Sequence, residues 1–173
     1  SVSMNIREDK FNFYLTYSYY RGKNVIDMFI DRAFSRVEER MTQDSYRKRE
    51  TDSHYLRTGC DFYLNKRTVW GTSFSGNIFG RKENADMFTE IQERKTAGNT
   101  YSHTDCDRRN LSLSTNMVHK LQKEGGEISA SFDYFHYYRT ENQLMDSFKP
   151  DTLKGDMQGN INLYIGQADA VYP

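Results

Sequence analysis

His54, His103, His119 and His136 are the side chains of this chain best suited to ligate a metal or carry a proton. Metal binding needs such groups paired, on a strand at i, i+2 or on a helix at i, i+4. None of the four histidines has a partner at either spacing, so they read as ordinary strand or interface residues. Cys60 and Cys106 have no metal-motif spacing and are too few for a disulfide framework. Asp105, Asp107, Arg108 and Arg109 make a charged run that could serve as a binding rim, although a solvated loop base is the simpler reading. The thirteen Tyr and eleven Phe could stack on sugars, but sheet packing or lipid contact accounts for them more directly. No nucleophile–base–orienter set, carboxylate pair or glycine-rich phosphate loop is present, so the chain reads as a non-enzyme without a cofactor.

The elements that would position these residues alternate at period two. Leu111, Leu113, Thr115, Met117, His119 and Leu121 fall on one face of an extended chain, opposite Asn110, Ser112, Ser114, Asn116 and Lys120. After a turn near Glu124-Gly125 the alternation resumes with Ile128, Ala130, Phe132, Tyr134, His136 and Tyr138. This is the signature of a β-hairpin, with arms about twice the usual ~5–6 residues. Val2, Met4 and Ile6 followed by Phe11, Phe13, Leu15, Tyr17 and Tyr19 make another hairpin, and Leu56–Leu64 with Trp70, Phe74 and Ile78 a third. A last strand carries Met157, Ile161, Leu163 and Ile165 on one face, with Gln158, Asn160 and Asn162 on the other. None of the apolar faces carries Asp, Glu, Lys or Arg, although 28% of the chain is charged.

Tight turns near residues 9, 66 and 124 alternate with long charged segments near 21–52, 80–106 and 140–155, the last holding Pro150 and Asp151. In the first of these, Ile26, Phe29, Ile30, Ala33, Phe34, Val37 and Met41 have helical spacing after an Asn24 cap, and Met87, Phe88 and Ile91 repeat it weakly. Short helices and extended strands both fit there. Parity requires even loops around Glu8-Asp9 and Glu124-Gly125. Two residues suffice, which sets Leu121 opposite Ile128 and Met117 opposite Phe132. Around Asn65-Lys66-Arg67 an odd loop or a bulge is needed, and a three-residue turn with Leu64 opposite Thr68 is the preferred form. Cys60 then lies near a tight turn and Cys106 at the opposite rim, roughly 30 Å away, which predicts two free thiols.

At 173 residues with 36% apolar content and a mean hydropathy of -0.88, no run reaches the ~20 apolar residues of a spanning helix. A membrane barrel needs apolar residues only at alternate positions, and short turns at one end with long loops at the other are its mark. Lys plus Arg balances Asp plus Glu at 24 each, which excludes a nucleic-acid footprint. The predicted fold class is all-β, an antiparallel up-and-down meander of about seven long strands. Residues 1–173 form a single segment of a β-barrel domain, read as an excised piece of a longer protein.

Met117-Val118-His119-Lys120-Leu121, then Gly126-Glu127-Ile128-Ser129 and Asp133-Tyr134, resembles the repeated hairpin of the outer-membrane β-barrel family. That family supplies the barrel half of TonB-dependent-receptor-like proteins. Gly59-Cys60-Asp61, Asn65 and Gly71 resemble its preceding hairpin, and Asp169-Ala170-Val171-Tyr172-Pro173 resembles the start of a further repeat. The resemblance implies a parent with an N-terminal plug and a barrel of about twenty-two strands. It further implies uptake of a bulky nutrient across the outer membrane of a Gram-negative cell, with the lipid bilayer and a TonB-type energy-coupling system as partners. This segment holds no plug, and alone it is expected to self-associate through open edges. The other reading is a soluble β-sandwich or adhesin module that binds glycan or protein.

Overall fold

The alternation is realised as seven strands: β1 (Val2–Arg7), β2 (Phe11–Phe34), β3 (Glu39–Asn65), β4 (Thr68–Ile91), β5 (Thr96–Lys120), β6 (Glu127–Asp146) and β7 (Thr152–Val171). The computed structural model describes residues 1–35, 38–122, 125–147 and 152–172. The strands make one sheet in chain order, each antiparallel to the next, with β1 and β7 as open edges. No helix occurs among the described residues.

The long segments continue the strands. Asn24 caps nothing; it lies mid-ladder opposite Arg49, with Ile26 opposite Arg47 and Ile30 opposite Gln43. Met87 and Phe88 likewise point to opposite faces of β4, opposite Ser45 and Asp44. A lone helix here would have no second layer on which to bury its apolar stripe, whereas a ladder pairs the backbone immediately. Val25, Ile26, Phe29, Thr42 and Tyr46 also favour a pleated surface. Val37, Pro150, Asp151 and Pro173 lie outside the described residues, as does Glu124 of the turn.

The outer ends of these hairpins are tied by charge. Asp31 receives a two-pronged bond from Arg40, with Nε to Oδ1 at 2.9 Å and the terminal nitrogen to Oδ2 at 2.5 Å. Arg94 reaches Glu39 at 2.7 Å, and the Arg40 amide donates to Glu93 at 2.6 Å, joining the β2–β3 tip to the β4–β5 tip. The Arg40 guanidinium holds the Asp31 carboxyl below its ordinary range. Such a depressed group stabilises the tip above the unfolded carboxyl's pKa, and the contribution is lost as pH falls through the folded value. At each pH, Asp31→Asn is therefore expected to be cleaved by pepsin near Phe34 faster than the unsubstituted protein, and the difference to shrink as pH falls. Identical cleavage of both proteins at every pH would refute this role.

The turns follow parity but not every expected length. Glu8 N–H donates to the Phe11 carbonyl at 2.8 Å, so Asp9-Lys10 forms an even turn with Ile6 opposite Phe13. At β3–β4 the odd residue is taken up by a bulge at Leu64 rather than a three-residue turn, and Asn65 pairs with Thr68. The Asn65 side chain accepts the Arg67 amide at 2.8 Å, which closes a two-residue turn and leaves the bulge to correct the register. At β5–β6 the closing bond runs from Leu121 N–H to the Gly126 carbonyl, 2.9 Å, with Gly125 at φ 82°. The loop is two residues longer than the minimum. Met117 therefore faces Ala130, and His119 rather than Leu121 faces Ile128. Glycine supplies the left-handed step that this wider turn needs.

One sheet face is apolar over a band that runs in β4 from Thr68 to Ile78. Its rows include Ile6–Phe13–Cys60–Thr72–Thr115–Phe132 and Met4–Leu15–Thr58–Phe74–Leu113–Tyr134. The last strand alternates as its sequence indicates, but its apolar residues join the other face. Met157, Ile161, Leu163 and Ile165 lie on the polar face, opposite Glu141, Tyr137, Phe135 and Asp133. The cause is β6, which carries aromatics on both faces, so Leu163 and Ile161 gain apolar cross-strand partners there. On the other face Tyr164 stacks on Tyr134 at 5.0 Å, and Asn162 Oδ1 accepts the Tyr134 hydroxyl at 3.0 Å.

None of the described residues packs on the apolar face. Leu113, Met117 and Phe132 remain 42%, 41% and 45% exposed, so they are not enclosed in a shared core. Apart from glycines, the buried residues among those described are Ala85, Cys106, Ser45 and Thr68.

Candidate functional site

Above the apolar band, the polar face turns cationic. Across β3, β4, β5 and β6 one row reads Thr51, Arg81, Cys106 and Glu141, and the next reads Ser53, Phe79, Arg108 and Arg139. Arg108 and Arg139 are direct cross-strand partners, a like-charged pairing that costs stability unless something offsets it. The Arg108 guanidinium carbon stands over the Phe79 ring, 4.1 Å from its centroid. Glu141 accepts a short hydrogen bond from Arg139 and stands 3.6 Å from Arg81. Arg139 holds the Glu141 carboxyl below its ordinary range. Farther along, Arg49 and Arg47 share Glu83 at 2.7 and 3.9 Å.

Five arginines thus meet two glutamates on one face. The Nε atoms of Arg81, Arg108 and Arg139 are shielded and have no partner among the described residues. Five guanidinium groups against two carboxylates leave a positive excess on this face, which suits attraction of anions. Arg108→Glu is expected to raise the unfolding midpoint, because it gives Arg139 an opposite charge; a lowered midpoint would contradict the repulsion argument.

The charged run read from sequence divides between the faces. Arg108 joins the cationic block, whereas Asp105, Asp107 and Arg109 project from the other side of β5. They do not form one rim. Arg81, Arg139 and Glu141 were not singled out as site residues by sequence reasoning; the length of the β5–β6 turn is what brings Arg139 opposite Arg108.

The four histidines share the apolar face but not a site. His54 bonds the Tyr17 hydroxyl at 2.9 Å and approaches Asp52 at 3.2 Å. His103 bonds Asn84 at 2.5 Å, His119 bonds Thr68 at 2.8 Å, and His136 bonds Asn162 at 2.8 Å. Among the described residues, no three His, Cys, Asp or Glu side chains gather in a metal-binding group. Both cysteines are free. Cys106 pairs with Arg81, which pairs with Thr51, nine positions along β3 from Cys60 and so ~30 Å away.

No family model matches the sequence, and no curated protein matches it either. Among solved structures, the ferric yersiniabactin uptake receptor FyuA from Yersinia pestis aligns over 97% of this chain and 24% of its own, with a TM-score of 0.63 and 12% identity. The chain spans about a quarter of that receptor's length. At this identity the likeness shows the fold alone, a long-stranded antiparallel meander.

Proposed function

We propose that this chain is a wall segment of an outer-membrane β-barrel, in a TonB-dependent-receptor-like transporter or receptor for nutrient uptake. The observation that carries the reading is the height of the uncovered apolar band. Thr68 to Ile78 is eleven residues, ~35 Å along the strand. At a tilt of about 40° that gives about 27 Å, close to the ~25 Å apolar band of outer-membrane barrels. Beyond it the same face turns charged, with Arg21, Asp52 and Asp107 in the next row.

In this orientation the apolar face meets lipid, the short turns lie in the periplasm, and the strands run on far outside the cell. The cationic block faces the interior, where its excess positive charge would attract an anionic solute. The role is binding and passage rather than catalysis. FyuA, named as an uptake receptor, supports the reading through its fold. The TonB-type coupling system enters as a partner only through the family resemblance of the hairpins.

Fractionation of cells expressing the full-length protein tests this. The protein is expected in the outer membrane, resistant to alkaline extraction; release as a soluble monomer would favour the adhesin or sandwich reading. The 173-residue chain alone, with β1 and β7 unpaired, is expected to self-associate on a light-scattering dilution series.

A further inference from the structure

At the upper edge of the apolar band the sheet carries a groove of about 460 Å³, floored by Gly76 and flanked by Leu56, Phe74, Leu111 and Ile78. A Cβ at Gly76 would find its nearest neighbours at 3.6 Å, so the hollow comes from the missing side chain rather than a displaced backbone. Arg109 borders the groove between its cross-strand partners Ile78 and Tyr138.

Among the described residues of the strands, Arg109 is the one formally charged side chain on this face from Thr68 up to the Ile78 row. The polar neighbours are satisfied: Tyr17 with His54 at 2.9 Å, His136 with Asn162 at 2.8 Å, and Tyr138 with Gln158 at 3.4 Å. Arg109 is exposed and makes no hydrogen bond or ion pair with the described residues, not even with Asp107, next along the same face.

We infer that the groove seats one acyl chain of an anionic membrane lipid, whose phosphate accepts hydrogen bonds from the Arg109 guanidinium. This rests on the proposed reading that the apolar face is turned to the bilayer. A cation at the hydrocarbon boundary without an internal acid fits a phosphate, and the adjoining walls are aliphatic and aromatic where an acyl chain would lie. Simple extension of Arg109 into water is the competing outcome.

The test uses the full-length protein in nanodiscs of phosphatidylcholine doped with phosphatidylglycerol, with retained lipids counted by native mass spectrometry. Arg109→Gln is expected to lower phosphatidylglycerol retention about fivefold, the weight of one basic residue at a membrane surface. Gly76→Leu, which fills the groove and leaves Arg109 intact, should lower it similarly. Unchanged retention in Arg109→Gln overturns the site. Loss in Arg109→Gln alone, with Gly76→Leu unaffected, overturns the acyl groove. A spin label at Leu113 in the same nanodiscs keeps the outcomes apart: lipid contact there with unchanged retention rejects the lipid site while the barrel stands.

Discussion

Leu113→Arg is expected to cost the bilayer-embedded protein about 2–4 kcal/mol, whereas Ser114→Arg, one position along, should cost far less. Leu113 lies near mid-height of the apolar band, between Phe74 and Tyr134, and is 42% exposed with none of the described residues layered above it. In the proposed membrane wall a guanidinium there would sit in hydrocarbon, far from either interface. Ser114 points the other way, between Ser73 and Asp133, where a cation gains an acid neighbour. Denaturant unfolding from vesicles reads the contrast. Equal effects at the two positions would mean that the faces are not in different solvents.

The second large effect is steric. A Cβ added at Gly59 would run into the Tyr14 ring and stand 2.8 Å from the Thr72 carbonyl oxygen. The ring can swing aside, but the Thr72 carbonyl is held in the β3–β4 ladder. Gly59→Ala should therefore destabilise by about 1–3 kcal/mol, as overpacking does. Gly159→Ala meets nothing within 4 Å and should be neutral or slightly stabilising. If both substitutions behave alike in the same unfolding assay, the close approach of Tyr14 and Thr72 to Gly59 is not real.

Strand number, order and the apolar faces of six strands were legible because alternation and turn residues are local signals. Register was legible only to its parity. The two-residue turn expected after Leu121 would have set Arg108 opposite Glu141, an ordinary ion pair. The observed turn, two residues longer, sets Arg108 against Arg139 and leaves Glu141 beside Cys106. The cationic block is thus a product of turn length, which alternation does not encode. The side that β7's apolar residues join was not legible for a related reason: its own alternation is clear, but Phe135 and Tyr137 on the far face of β6 decide where Leu163 and Ile161 go. The helical spacing of Ile26, Phe29, Ile30 and Phe34 was a local fit that a long ladder overrode.

Nitroxide labels placed singly at residues 111–117 of the full-length protein in vesicles give the most direct test of the barrel reading. Power saturation with oxygen and with a water-soluble nickel chelate reports the solvent of each side chain. Leu111, Leu113, Thr115 and Met117 are expected to favour oxygen, and Ser112, Ser114 and Asn116 the aqueous reagent, in strict alternation. Odd positions shielded from both reagents would place them in a closed protein core and contradict the membrane wall.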